Sequence, residues 1–121
     1  MVLGASVKEE RYSNKAIKLL REYEHEVVAI GLREGKVGDV SIRTDRPEMD
    51  DIDTITLYLS PKNQVPYEEY IFKIAPKRVI FNPGTENPDF QNRLKEKGIF
   101  CEVACTLVLL RTSQFESLLN E

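Results

Sequence analysis

Val27-Val28-Ala29-Ile30 is apolar at every position. A strand with one wet face alternates polar and apolar side chains. An unbroken β-branched run this short belongs instead to a strand covered on both faces, as in parallel sheets held between helix layers. Upstream, Met1-Val2-Leu3 forms a short apolar strand, and Ala16, Ile17, Leu19, Leu20 and Tyr23 recur at helical spacing after Ser13-Asn14, which predicts a helix over 13–24. Strand, helix and buried strand make a βαβ unit, whose crossover is right-handed.

The alternation continues along the chain. Asp50, Asp51 and Asp53 lead into TITLYL at 54–59, a β-branched and aromatic run that Ser60-Pro61 ends, which predicts a central strand. Pro66 suits the first turn of a helix whose apolar face is Tyr67, Tyr70, Ile71 and Ile74, ending at Ala75. Val79-Ile80-Phe81 reads as the next strand. NPGTENPDFQNRLKEKG then reads as a turn and a helix, with Glu86 and Asp89 early, Lys95 and Lys97 late and Gly98 as the stop, a charge order that complements the helix dipole. A weak strand is expected over 40–42 and a last one over 99–102, with 31–36 as loop. Residues 104–110 fit either a buried helix or a strand, the helix being preferred. The expected architecture is α/β: a small doubly wound parallel sheet of about five strands, helices on both faces, in one domain over 1–121.

A chain of 121 residues suffices for one buried core. Its net charge of −3 argues against a nucleic-acid binder, which presents a basic balance or face. The longest mostly apolar run, 103–110, is far below the ~20 residues that span a bilayer. The first residues show neither a basic n-region nor an apolar h-region. Cys101 and Cys105 lack companions at zinc spacing and are expected as small buried thiols, so no metal is expected. His25 is expected at the surface, and the three aspartates as solvated turn residues. The chain is read as cytoplasmic, with a small-molecule ligand, no membrane and a homodimer as a possible assembly.

In doubly wound sheets ligands bind outside the carboxyl ends of the strands, where strand order reverses, so the informative loops follow Leu3, Ile30, Leu59 and Phe81. Gly4, Ala5 and Ser6 are small enough for backbone N–H groups to approach an anion at a helix N-terminus, and Arg11 lies in the same loop. The dinucleotide fingerprint, G-x-G-x-x-G, is met at only one of its three glycines, since Gly4, Ser6 and Glu9 occupy those places. A plain strand-to-helix connection is the other reading of this turn. After Ile30, where an NAD site carries an acid for the ribose hydroxyls, the chain offers Arg33 and Lys36. A basic pair there suits a phosphorylated ribose, as in NADP or coenzyme A; its alternative is a pair of solvated loop charges. Asn82-Pro83-Gly84-Thr85 reaches the same edge, where Asn82 or Thr85 is also able to cap the following helix. Cys105 is the one candidate nucleophile near this edge.

VLGAS, RYSNKA, HEVVAI, NPGTENP and the late Cys105 together resemble the small stand-alone CoA-binding proteins, a Rossmann-like family related to the nucleotide-binding domain of the succinyl-CoA synthetase alpha subunit. The resemblance runs in order from Val2 to about Leu110. It implies a coenzyme A or acyl-CoA ligand across the carboxyl edge of the sheet. Gly4, Ala5, Ser6, Arg11, Ser13 and Asn14 would then meet the pyrophosphate and its surroundings, with Arg33 and Lys36 near the phosphorylated ribose. Leu59, Ser60, Asn82, Pro83, Gly84 and Thr85 would line the adenine or pantetheine side. The relatives with synthetase chemistry carry their phosphorylated His in a separate domain, so the resemblance implies binding without that reaction. It also puts Glu24 where the family ends its first helix with Gly, a left-handed position that costs a non-Gly residue about 1 kcal/mol. The leading expectation is a sensing or regulatory binding module with no catalytic residue. The alternatives are an NADP-dependent oxidoreductase or a small acyl-transfer enzyme using Cys105, and an interaction protein using 103–110 as a contact.

Overall fold

The structure, a computed structural model, describes residues 1–116; residues 117–121 of the expected domain lie outside the described residues. β1 (Val2–Ala5), α1 (Tyr12–Glu22) and β2 (Ala29–Gly31) form the expected crossover, with Val2 opposite Ala29 and Leu3 opposite Ile30 in a parallel pair. An antiparallel hairpin follows, β3 (Gly35–Val37) and β4 (Val40–Arg43), and β4 pairs in parallel with β2. The chain then returns to the other side of β1. There β5 (Thr54–Leu57), β6 (Arg78–Phe81) and β7 (Phe100–Val103) add in parallel, joined by α2 (Pro61–Gln64), a 3-10 turn (Val65–Tyr67), α3 (Glu68–Ile74) and α4 (Pro88–Glu96). α5 (Thr106–Arg111) closes the described part. The strand order is β3-β4-β2-β1-β5-β6-β7, so it reverses between β1 and β5.

Side chains alternate across the pleat and build a core on each face. Val2, Ala29, Val40, Ile42 and Ile80 pack with Ile17 and Leu20 of α1 and with Leu109 and Leu110 of α5. Leu3, Ile30, Ile55, Leu57, Val79 and Phe81 pack with Tyr70, Ile71 and Ile74 of α3 and with Phe90 and Leu94 of α4. Within the apolar run at 27–30, Ala29 and Ile30 are thus covered on both sides, as a parallel strand requires, whereas Val27 and Val28 precede β2 and are half-buried.

The sheet has seven strands among the described residues, against about five expected: the weak stretch at 40–42 is a full member as β4, and β3 arises where a loop is expected. Gly35 and Gly38 make this stretch look like a connection. Gly38, at φ 60°, instead turns a two-residue hairpin between Val37 and Val40. Ser60-Pro61 does more than end a strand, since Pro61 opens α2, and the helix expected from Pro66 is two short pieces, the 3-10 turn and α3. β2 begins at Ala29 rather than at Val27, and 104–110 resolves mainly into the helix α5. Glu24 adopts φ 66° directly after α1, as the resemblance implied. His25 is a correction. It is half-buried, its ring edge-on to Phe115 with centroids 5.1 Å apart and its Nε2 3.3 Å from Glu116. Cys101 and Cys105 are likewise half-buried rather than enclosed.

Candidate functional site

The reversal of strand order sets β1 beside β5, and the backbones close together where β1 ends. Gly4 has φ 94°, and a β-carbon there would stand 2.8 Å from the carbonyl oxygen of Tyr58. Gly31, ending β2, faces the carbonyl oxygen of Ala5 so closely that a β-carbon would collide with it. Gly35 receives the side chain of Val7 in the same way. Three glycines therefore draw the β1–α1 loop against β5 on one side and against β2 and β3 on the other. Only the first of them was recognised from the sequence.

Above this junction α1 begins without the usual fittings of a helix start. Arg11 at the N-cap makes no side-chain cap bond, and the first turn holds no acidic residue. Its leading N–H groups are left to other partners, and the positive end of the helix dipole faces the crevice. Ser6 Oγ accepts from the Lys8 N–H at 3.1 Å, and Asn14 Nδ2 donates to the Ser6 carbonyl at 3.0 Å. Asn14 is 2% exposed, and its Oδ1 is buried with no hydrogen-bond partner. Ser13 is buried as well, whereas Arg11 is exposed.

The basic pair does not stay together in one loop. Arg33 is exposed in the connection after β2, but Lys36 lies in β3, paired with Ser41. Gly35 and Val37 face the α1 layer, so strand alternation turns Lys36 to the opposite side. Two further arginines at the end of β4 were not singled out from sequence. Arg43 is held by Asp45 through two hydrogen bonds of 2.8 and 2.7 Å, and the Arg46 guanidinium stacks 4.3 Å from the Tyr67 ring centre. Arg46 and Tyr67 are far apart in sequence, so nothing local signals that contact.

At the ends of β5 and β6 the residues divide by depth. Ser60, Pro83 and Gly84 are exposed and Leu59 is half-buried. Asn82 and Thr85 are turned inward. Asn82 Nδ2 donates to Thr56 Oγ1 at 2.6 Å and to the Leu57 carbonyl at 2.8 Å, while its Oδ1 accepts from the Thr106 N–H at 2.9 Å. Thr85 Oγ1 donates to the Asn82 carbonyl at 2.7 Å, and Gln64 Nε2 donates to the carbonyls of Leu59 and Thr85 at 2.8 and 2.7 Å. The helix cap expected of Asn82 or Thr85 belongs to Asn87, whose side chain accepts from the Phe90 N–H. Burial pushes the Tyr58 phenol above its ordinary pKa, against hydrogen bonds with Thr56 and Thr106 that pull the other way. Cys105, at the N-cap of α5, neighbours this phenol.

Concavities elsewhere suit an anion less well. One of about 710 Å³ beside α3 mixes Arg46 and Lys73 with Glu48, Asp50 and Glu69. Another of about 530 Å³, at the opposite edge of the sheet, sets Glu24, Glu26, Asp51, Asp53 and Glu116 against His25 and Lys77. The start of α1 beside Gly4 combines a helix N-terminus without a side-chain cap, small residues and an exposed Arg11. No helix among the described residues is long and apolar enough to cross a membrane.

Comparison with known proteins gives a consistent result. The sequence model of a family described as a CoA binding domain matches residues 1–111. The crystal structure of an uncharacterized protein is 41% identical, with a TM-score of 0.92 and 94% of each chain covered. A hypothetical protein from Pyrococcus horikoshii OT3 is 25% identical, with a TM-score of 0.77 over 91% of this chain and 80% of that one. The structure of cell-free ID.343 from Thermus thermophilus, at 22% identity, shares the fold, with a TM-score of 0.81 over 94% of this chain and 87% of that one. No curated protein matches.

Proposed function

The chain belongs to the CoA-binding domain family, and from that premise we propose that it holds coenzyme A or an acyl-CoA across the carboxyl edge of the sheet, as a non-catalytic module for sensing or regulation. The observation that carries this reading is the start of α1, uncapped and free of acid in its first turn, at the place where strand order reverses. A pyrophosphate suits N–H groups that no side chain has claimed. In this reading Gly4, Ala5, Ser6, Arg11, Ser13 and Asn14 surround it, and Arg33 supplies charge for the phosphorylated ribose, while Lys36, turned to the other face of β3, does not join it. Leu59, Ser60, Pro83 and Gly84 take the adenine or pantetheine side. Asn82 and Thr85 act from behind, shaping the loop through their hydrogen bonds.

The ligand supplies a thiol or thioester; the chain's own residues bind and orient it. His25 and the carboxylates of Asp51 and Asp53 line the opposite edge of the sheet, which leaves them out of reach for proton transfer at this crevice. A cytoplasmic location and a homodimer belong to the same reading.

The test is thermal unfolding of the purified chain with CoA, acetyl-CoA, NADP, NAD and ADP at equal concentration. A ligand at ~100 times its dissociation constant adds about 2.7 kcal/mol, several degrees in a domain of this size. A rise with the CoA species and none with NAD or NADP is expected; no rise with CoA overturns the proposal. Neutralising Arg33 is expected to weaken CoA binding and neutralising Lys36 to change it little, and unchanged affinity in a folded Arg33 variant removes the role given to that residue. A second reading, acyl transfer to Cys105, rests on the half-exposed thiol at the start of α5. It requires an acyl adduct on Cys105 in intact-mass spectra after incubation with an acyl-CoA, and an unmodified thiol ends it.

A further inference from the structure

Gly31 ends β2 and Gly35 opens β3, so the two glycines bracket the short connection between those strands, and neither adopts a positive φ. The backbone therefore does not require glycine at either place. What each supplies is the room of a missing β-carbon. Both rooms are taken by the loop that follows β1: a β-carbon on Gly31 would collide with the Ala5 carbonyl, and one on Gly35 with the Val7 side chain. Ala5 and Val7 flank Ser6, so a single stretch of that loop engages both ends of the connection.

The seat gives way little. Ile42 is buried in the core, pairs with Ala29 in β2 and with Gly35 in β3, and its Cγ2 would stand 3.1 Å from a β-carbon on Gly31. Val7 is β-branched, with few rotamers to turn into. Ser6, between the two engaged residues, accepts from the Lys8 N–H through Oγ and from Asn14 Nδ2 through its carbonyl, which carries the constraint on to α1. Arg33 stands exposed midway between Gly31 and Gly35. The loop assigned above to the pyrophosphate and the cation assigned to the phosphorylated ribose are thus fastened to each other at two points, although they belong to different connections. Resting on the CoA reading, we propose that Gly35 and Val7 are positioning residues: their interlock sets the spacing between the turn at Ser6 and Arg33, and with it the preference for a ligand whose ribose carries a phosphate. Neither residue touches the ligand. Their effect passes through Arg33, whose charge counts only at the distance the ligand spans.

The test is calorimetric titration of the wild-type chain, Gly35→Ala, Val7→Ala and the double variant with CoA and with 3′-dephospho-CoA, which lacks only the ribose phosphate. The wild type is expected to prefer CoA. Gly35→Ala is expected to weaken CoA about tenfold, the scale of one overpacked contact, and dephospho-CoA less, so that the preference narrows. In the double variant the new methyl group occupies room given up by the truncated side chain at position 7, and the preference is expected to return towards the wild-type ratio. A loop that had merely loosened would weaken both ligands equally and keep the ratio. The proposal is overturned if Gly35→Ala keeps the wild-type ratio, if the double variant fails to recover it, or if the wild type binds both ligands alike. Should Gly35→Ala not fold, Val7→Ala takes its place, with the same narrowing expected and an unchanged ratio overturning the proposal. Failure of the wild type to bind CoA removes the CoA reading, a result distinct from equal binding of the two ligands. Amide exchange then tests the interlock by itself: faster exchange over residues 5–8 in Gly35→Ala is expected, and an unchanged rate overturns it.

Discussion

A β-carbon on Gly31 would collide with the Ala5 carbonyl, and one on Gly4 would press on Tyr58. These close approaches pull the β1–α1 loop into position, and they are properties of single residues. Gly31→Ala is expected to cost about 1–3 kcal/mol by overpacking, read as a lower urea midpoint with an unchanged slope. Gly4 was recognised as a turn glycine because it follows an apolar strand. Gly31 was not, because the atom it makes room for is far away in sequence. Tyr58 carries a different consequence. Its pKa is raised chiefly by burial, so in the alkaline range the unfolded chain releases this proton first. Stability contributed by the neutral phenol is full below the ordinary tyrosine pKa of ~10 and is lost as pH rises through the higher folded value. Tyr58→Phe is expected to reduce the fall in stability above pH ~10, measured by denaturant titration at several pH values. An unchanged alkaline slope would show that other groups carry it.

At the scale of elements, α5 is fastened to the sheet by Asn82. Its side chain spans Thr56, Leu57 and the Thr106 N–H while being only 3% exposed. Asn82→Ala leaves several buried polar groups unanswered, and a loss of about 3 kcal/mol is expected, together with faster amide exchange in α5 than in α1. The sequence placed Asn82 at the correct edge because it follows a clear strand. Its inward direction was not legible, since an Asn before Pro-Gly reads equally as a turn or cap residue. The β3–β4 hairpin shows the same limit. Its strands are three and four residues long, short enough for Gly35 and Gly38 to dominate the local pattern. The pairing with β2, a tertiary event, holds it in the sheet.

For the whole molecule, the net charge of −3 opposes an anionic ligand at long range, so binding must rest on local cations and the helix start. Local charges at exposed positions are screened as the Debye length shortens from ~30 Å at 0.01 M salt to ~8 Å at 0.15 M. CoA affinity is expected to fall over that range in the wild type, and to fall less steeply once Arg33 is neutralised. Titration calorimetry at three salt concentrations checks this, and parallel slopes would show that the Arg33 side chain faces no phosphate. Sequence by itself determined the α/β class and the parallel pairing, because hydrophobic period and burial on both faces are written into consecutive residues. Tertiary structure decided which loops meet. Gly31 against Ala5, Val7 against Gly35 and Asn14 against Ser6 are contacts between segments brought together only when the sheet closes around β1. No local pattern encodes them, because the close approach of two backbones depends on both at once.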